Sequence, residues 1–196
     1  MAIGALPSFI RKNYEIHEWR HASAVLYTDF REEWSDIIAV LTEFRVRKSA
    51  ISVKGGGKSL VSGWIDEAFT QRGWQERKFA TQIRVDKNVF DSPTHKVDCF
   101  KNTVGVEIEW NNKTEFYDRD LNNFRLLFEL RALNVGVIIT RCDELQDIFV
   151  SLGRGKSYGP TTTILSKLLR KMEGGSGGGC PVLAFGITKR LYDENS

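Results

Sequence analysis

The sequence lacks several features that would place it in other classes of protein. No apolar run reaches the roughly 18 residues that a membrane-spanning helix needs, so we expect no transmembrane segment. The N-terminus has neither a basic start followed by an apolar core nor an evident cleavage site, which predicts a cytoplasmic location. Three cysteines, widely separated and without a C-x-x-C pair, argue against both a disulfide framework and a cysteine zinc site.

Basic and acidic residues are nearly equal in number, but they are unevenly distributed along the chain. The net charge of +3 is too small by itself to indicate a nucleic-acid partner. Acids are concentrated in residues 107–120, between two segments that contain basic residues and no acid. This combination suits a metal-dependent phosphodiesterase, because lysine and arginine bind a nucleic-acid backbone while carboxylates bind the metal. A solvated charged surface is the alternative for each basic segment. The basic residues are Arg45, Arg47, Lys48, Lys54 and Lys58 in residues 44–65, and Arg154, Lys156, Lys167, Arg170 and Lys171 in residues 148–172.

Length and composition predict one globular domain over residues 1–196. The chain is 41% hydrophobic, with 12 phenylalanines and 5 tryptophans, which is enough for a sizeable core. Residues 135–140 form a continuous apolar run, as expected of a central buried strand, and follow a predicted strand and helix. This order favours a parallel pair, so we expect an α/β fold with a mixed central sheet and helices on both faces. The glycine-rich residues 174–179 are interpreted as a loop inside this domain.

Two helices with clear apolar stripes are expected around this sheet. Residues 28–29 are expected to cap the first, whose stripe runs through residues 30–44 and faces the core. Asp118 or Asp120 is expected to cap the second, which continues to Leu133. Its apolar face is too wide for a helix covered on one side only. The second helix therefore lies deep in the core or meets another subunit.

A predicted hairpin, made of residues 97–100 and 104–110, brings acidic side chains together. Apolar and other residues alternate along its second strand, which is the period of a strand with one buried face. Glu107 and Glu109 then lie on one face, and the hairpin brings Asp98 beside Glu107. Converging carboxylates repel one another unless a cation lies between them. Mg²⁺ is the candidate, since it takes one or two carboxylates and leaves positions open for a phosphodiester. The alternative is that the acids line the solvated face of an ordinary strand.

A second candidate metal site is the sequence HEWRH at residues 17–21, which matches the zinc protease motif H-E-x-x-H. The motif binds zinc only on a helix, where residues four apart share a face. Residues 13–27 are compatible with either a strand or a helix. A third ligand is also required, and His95 is the remaining histidine of the chain. A zinc metalloprotease is therefore kept as a competing hypothesis.

The sequence KGGGKS at residues 54–59 is similar to part of a nucleotide-binding P-loop. Ser52 occupies the position where the first glycine of that motif is required, so we discount nucleotide binding. A glycine and lysine loop that closes over a DNA backbone is the favoured interpretation, and an ordinary exposed loop is the alternative.

The spacing of Asp98, eight intervening residues and then Glu107-Ile108-Glu109 resembles the active-site signature of the PD-(D/E)XK nucleases. More narrowly, the stretch resembles type II restriction endonucleases of the BglII and BstYI group. The similarity extends along most of the chain and includes a Gly-Trp pair before the hairpin and the later sequences VGVIITR, GKSYG and PVLAFGI. The lysine that the superfamily usually has in its third position is replaced here by Glu109.

This resemblance implies a restriction-endonuclease-like fold and Mg²⁺-dependent cleavage of double-stranded DNA, with Mn²⁺ able to substitute for Mg²⁺. It also implies a homodimer that recognises a short palindrome, for which a GATC-containing site is the expectation. Asp98 and Glu107, helped by the Ile108 carbonyl, are expected to bind the metal. Glu109 is expected to position or deprotonate the attacking water. Glu76 is a candidate additional acid.

In the resembling group, one base-contacting segment follows the catalytic strand and another is a Ser-Tyr loop late in the chain. The matching residues here are Asn111, Asn112 and Lys113, and Lys156, Ser157 and Tyr158. Lys54, Lys58 and Arg154 are expected to contact phosphates. A DNA-binding module that keeps the fold without turnover is the non-enzymatic alternative.

Overall fold

A computed structural model describes residues 2–53, 57–159 and 161–195 of the 196-residue chain. The predicted phosphate contact Lys54 lies outside the described residues. Within them, no helix has both the length and the apolar character needed to cross a bilayer.

Five strands follow one another in residues 75–109, and the longest helices lie before and after this run. The strands are β1 (Tyr14–Trp19), β2 (Val46–Arg47), β3 (Gln75–Arg77), β4 (Ala80–Val85), β5 (Asn88–Pro93), β6 (Val97–Lys101), β7 (Val104–Glu109), β8 (Val135–Arg141), β9 (Val182–Ile187) and β10 (Tyr192–Asp193). The α-helices are α1 (Ser8–Asn13), α2 (Ala22–Asp29), α3 (Arg31–Glu43), α4 (Lys48–Ser52), α5 (Leu60–Thr70), α6 (Phe116–Glu129), α7 (Leu145–Ser151) and α8 (Leu165–Glu173). Short 3₁₀ helices cover Ala2–Ala5 and Lys189–Leu191.

A six-stranded mixed sheet has the order β1-β9-β8-β7-β6-β3. The central strand β8 runs parallel to both β7 and β9, while β6 and β1 pair antiparallel to their neighbours. The predicted buried strand and its parallel pairing are therefore confirmed. The glycine-rich residues 174–179 connect α8 to β9.

Helices cover both faces of the sheet, as predicted. One hydrophobic core contains side chains of α3, α5 and α7 against Val106, Val137 and Phe185. The other core contains α6 and α8 packed against the opposite face. These two cores make the fold an α/β fold with a mixed central sheet between two layers of helices.

The boundaries of the two expected helices differ from the sequence-based prediction. Residues 28–29 end α2 instead of capping the next helix, and α3 begins at Arg31. Neither Asp118 nor Asp120 caps α6, because that helix begins earlier, at Phe116. Asp118 lies in its first turn, and Asp120 faces the interior with no exposed surface.

The wide apolar face of α6 is buried within its own subunit. Phe124 is fully buried, and Gly105 and Gly136 make room for its ring: a Cβ atom at Gly136 would collide with that ring. The helix as a whole does not lie deep in the core, because Asp118, Asn122, Arg125 and Glu129 are exposed along its other face.

Candidate active site

The β6–β7 hairpin brings Asp98 and Glu107 together. Its register pairs Cys99 with Val106, which puts Asp98 across from Glu107. The Asp98 N–H lies 3.4 Å from Glu107 Oε2, and the Ile108 N–H donates a hydrogen bond to Asp98 Oδ2 at 3.1 Å. The predicted hairpin and the meeting of these two acids are confirmed.

Glu107 is fully buried, so the interpretation of β7 as a half-exposed strand is wrong. Strand β7 is covered on both faces, because α6 packs against the face that carries Glu107 and Glu109. Burial, followed by the charges of Asp120 and Asp98, raises the pKa of the Glu107 carboxyl well above its usual range. Its Oε1 is also buried and has no hydrogen-bond partner within the described part of the chain. A carboxylate in this position needs a proton or a cation.

Glu109 belongs to a buried polar cluster between β7 and α6. Its Oε2 accepts a hydrogen bond from Asn112 Nδ2 at 2.9 Å, and its Oε1 lies 3.4 Å from an Arg119 guanidinium nitrogen. Arg119 also pairs with Asp120 at 2.8 Å. Burial and then the Asp120 charge raise the pKa of Glu109 to about 9, and burial raises the pKa of Asp120 to about 6. The Arg119 guanidinium is therefore the positive partner of both buried carboxyl groups.

Sequence reasoning missed Asp120 as part of this cluster. A signal was available, because Asp120 lies on the same helical face as Tyr117, Leu121 and Phe124, all of which are buried. An acid inside an apolar stripe needs a polar partner, and the partners here are Glu109 and Arg119.

A cleft of about 620 Å³ opens beside Asp98 and Ile108. Residues from both predicted base-contacting segments line it, although the segments are about forty residues apart in sequence. Asn111 Nδ2 donates a hydrogen bond to the Ser157 carbonyl at 3.1 Å, which joins the two segments directly. The predicted site residues that line the cleft are Asp98, Ile108, Asn111, Asn112, Arg154, Ser157, Tyr158 and Lys58.

Other predicted residues lie elsewhere. Glu76 is exposed on β3, where it forms an ion pair with Lys96 at 2.6 Å, and it does not line the cleft. Lys113 and Lys156 are exposed beside the cleft, in the same two segments. The Tyr158 ring is 5% exposed and stacks on Phe149 at 4.0 Å between ring centroids. The ring of Tyr158 therefore packs in the core and anchors the loop that contains Lys156 and Ser157.

Two further residues of this region were not predicted. Arg141 is 1% exposed and stabilises the loop that contains Ser157 and Tyr158. It donates hydrogen bonds to the Tyr158 carbonyl at 3.2 Å and to Thr162 Oγ1 at 2.9 Å. Asp66 on α5 lines the cleft and forms an ion pair with Lys58. Nothing in the spacing of either residue distinguishes it from an ordinary charged surface residue.

The zinc protease hypothesis is wrong. His17 lies on β1 and bonds to Glu15 Oε1 at 2.8 Å, whereas His21 has a left-handed backbone, with φ of 57°, immediately before α2. The two histidines do not share a helix face. Across residues 2–53, 57–159 and 161–195, no three His, Cys, Asp or Glu side chains form a preformed metal cluster.

A family model described as restriction endonuclease BglII/BglIII matches residues 14–187. The chain belongs to this family. The match begins at the first residue of β1 and ends at the last residue of β9, so it contains the whole six-stranded sheet. A search of curated proteins found no match. As a member of the BglII/BglIII family, the protein is a type II restriction endonuclease: it binds double-stranded DNA and is a site-specific deoxyribonuclease that acts on phosphodiester bonds.

Proposed function

We propose that this restriction endonuclease uses Mg²⁺, bound by Asp98, Glu107 and the Ile108 carbonyl, to cleave both strands of DNA at a short palindrome. The observation that carries the proposal is the pairing of Asp98 with a fully buried Glu107 whose Oε1 has no hydrogen-bond partner among the described residues. Asp98 and Ile108 also line the cleft, where a phosphodiester has access to them.

The donor set fits a hard divalent cation. Type II restriction endonucleases generally use such metals, and Mg²⁺ takes one or two carboxylates while water and phosphate oxygens fill its other positions. A cation at this point would also neutralise the buried charge of Glu107. When bound, Mg²⁺ supplies Lewis-acid activation of the phosphate and of water. Mn²⁺ is expected to substitute, because it favours the same oxygen ligands.

The reaction is hydrolysis of one phosphodiester bond in each strand. The oxygen of water adds to phosphorus, the bond from phosphorus to O3′ breaks, and the 3′ oxygen takes up a proton as the water loses one. The products are 5′-phosphate and 3′-hydroxyl ends. Glu109 is proposed to position this water, or to deprotonate it once the raised pKa of the Glu109 carboxyl is lowered by a bound cation. It would do so from the buried cluster in which it holds Asn112.

Base recognition is proposed for the two segments that meet at the cleft. Asn111 Oδ1 is buried and has no hydrogen-bond partner within the described chain, and Ser157 is exposed. Asparagine suits adenine, lysine suits guanine, and serine suits either in the major groove. The proposed base-contacting residues are Asn111, Asn112, Lys113, Lys156 and Ser157, with the buried Tyr158 supporting their loop, and the proposed phosphate contacts are Lys54, Lys58 and Arg154.

The proposed assembly is a homodimer, since two copies related by a two-fold axis match the symmetry of a palindrome. A GATC-containing site is proposed from the resemblance to the BglII and BstYI group. Because Phe124 is buried inside its own subunit, the dimer contact uses a surface other than the inner face of α6.

The test is digestion of plasmid and genomic DNA with purified protein, in Mg²⁺ and in EDTA. Defined fragments in Mg²⁺ and intact DNA in EDTA are expected, and sequencing of the fragment ends then maps the site. Retardation of DNA without cutting would favour a binding module instead. Cutting that is unaffected by EDTA would contradict the proposed metal dependence.

A further inference from the structure

We propose that Lys58 is a catalytic cation of the cleavage reaction and that Asp66 is the residue that positions it. This inference rests on the proposed nuclease function of the same cleft. It assigns to Lys58 a contact with the scissile phosphate itself, where the expectation from sequence was a general contact to the DNA backbone.

The two residues are brought together by α5. Ser59 caps this helix by accepting a hydrogen bond from the Ser62 N–H at 3.0 Å, so the backbone next to Lys58 is fixed. Asp66 lies two turns further along, and its carboxylate forms an ion pair with the Lys58 ammonium. Both residues line the cleft that contains Asp98 and Ile108.

Asp66 is anchored beside the strand of Asp98. Its side chain is only 16% exposed, and its Oδ1 accepts a hydrogen bond from the Cys99 thiol at 3.6 Å. Cys99 directly follows Asp98 on β6. The carboxylate that pairs with Lys58 is therefore hydrogen-bonded to β6, the strand that carries Asp98.

The cleft needs a cation besides the metal. Hydrolysis adds negative charge to a phosphate that already faces Asp98, and fixed positive groups at that point lower the barrier. Strand β7 offers none, because its sequence VGVEIE contains no lysine or arginine. Arg119 is turned towards Glu109 and Asp120 in the buried cluster below.

Lys58 and Arg154 are the cations among the described residues that line the cleft. Arg154 donates a hydrogen bond to the Val53 carbonyl at 2.8 Å, which commits part of its guanidinium to the backbone. Lys58 has a 63% exposed side chain, so its ammonium can reach a bound phosphate while Asp66 limits its range of positions. An ammonium held in this way is pre-organised for the transition state.

The proposal differs measurably from simple backbone binding. A lysine that only contacts a phosphate contributes to affinity, and its loss is compensated by saturating enzyme. A lysine that contacts the scissile phosphate contributes to the rate after binding. Asp66→Asn is the more revealing change, because it removes a negative charge from the cleft, and this should favour DNA binding while it releases Lys58.

The experiment compares Lys58→Ala, Lys58→Arg and Asp66→Asn with wild type in single-turnover cleavage at saturating enzyme, and in DNA binding in EDTA. Lys189→Ala is the matched control. The Lys189 side chain is 60% exposed and its ammonium lies 3.9 Å from a Glu144 oxygen, and neither residue lines the cleft. We expect Lys58→Ala to slow cleavage by about 10²- to 10³-fold. Lys58→Arg should be intermediate, and Asp66→Asn should slow cleavage without weakening binding. Wild-type rates at saturation in Lys58→Ala would overturn the proposal.

A second readout does not depend on cleavage. Amine labelling followed by mass spectrometry measures the reactivity of Lys58, which we expect to rise in Asp66→Asn and to fall when DNA is bound. Lys58 labelling that is unchanged by DNA would refute the phosphate contact. If wild type and Lys189→Ala both fail to cut, the proposed nuclease function fails, whereas cutting by Lys58→Ala at the wild-type rate removes only the inference about Lys58.

Discussion

Asn112 donates a hydrogen bond from Nδ2 to the buried Oε2 of Glu109 at 2.9 Å. Asn112 is a proposed base contact, and Glu109 is a proposed group in water activation. The bond therefore couples the end of β7, which carries the proposed catalytic acids, to the start of a segment that is proposed to contact DNA. Substitutions of Glu109 are expected to affect both cleavage and recognition.

Glu109→Gln should be milder than Glu109→Ala. A glutamine Oε1 can still accept the hydrogen bond of Asn112 and its amide can still orient water, whereas alanine leaves Asn112 without this partner. We expect Glu109→Gln to retain measurable cleavage and the base preference of wild type. Single-turnover rates and competition binding of both variants measure this. Equal loss of cleavage in the two would favour an obligatory carboxylate base.

Asp120 should make stability depend on pH. Burial raises its pKa to about 6, so the folded state binds the proton more tightly than the unfolded state, whose pKa is near 3.9. The resulting stability is complete below the unfolded pKa and is lost as pH rises through about 6.

Asp120→Asn should remove this loss, and we expect it to be more stable than wild type at pH 8 in EDTA by about 1–3 kcal/mol. At pH 4 the difference should largely disappear. Urea unfolding at both pH values measures it, with the exposed Asp118→Asn on the same helix as control. A difference that is the same at both pH values would refute the assignment to Asp120.

Gly136 should tolerate no side chain while Phe124 is present. A Cβ atom at residue 136 would collide with the Phe124 ring, and overpacking of this kind costs about 1–3 kcal/mol. Gly136→Ala should therefore lower the unfolding midpoint, and Phe124→Leu should recover part of the loss in the double variant. Gly63→Ala is the control, because a Cβ atom there meets nothing within 4 Å. Additive losses in the double variant would contradict this contact.

Asn112 and Ser157 should determine base preference. Each lost base contact is expected to reduce discrimination by about 1–3 kcal/mol. Arg154→Ala, at a proposed phosphate contact, should weaken binding to all sequences alike and reduce its salt dependence. Competition binding against single-base-pair variants of the mapped site, at two salt concentrations, separates the two effects. Unchanged base preference in both Asn112→Ala and Ser157→Ala would show that other residues contact the bases.

Patterns that repeat along one strand were predictable from the sequence, and contacts between distant elements were not. Alternation predicts the β6–β7 hairpin and the meeting of Asp98 with Glu107, and a continuous apolar run predicts β8. The β4–β5 hairpin was missed, because its apolar side chains are exposed and give no sign of a core. Asp66 and Asp120 are single acids on helices. Only the packing of α5 against the sheet distinguishes Asp66 from a solvated charge, whereas the apolar stripe around Asp120 was a signal in the sequence.

The most direct test of the account is cleavage of an end-labelled duplex that contains the mapped site, in Mg²⁺, by wild type, Asp98→Asn and Glu107→Gln. These substitutions remove the proposed metal ligands and keep side chains of nearly the same shape. Wild type should give a defined fragment and neither variant should give one, while both variants should still retard the duplex in a gel. Cleavage by Asp98→Asn or Glu107→Gln at near the wild-type rate would contradict it.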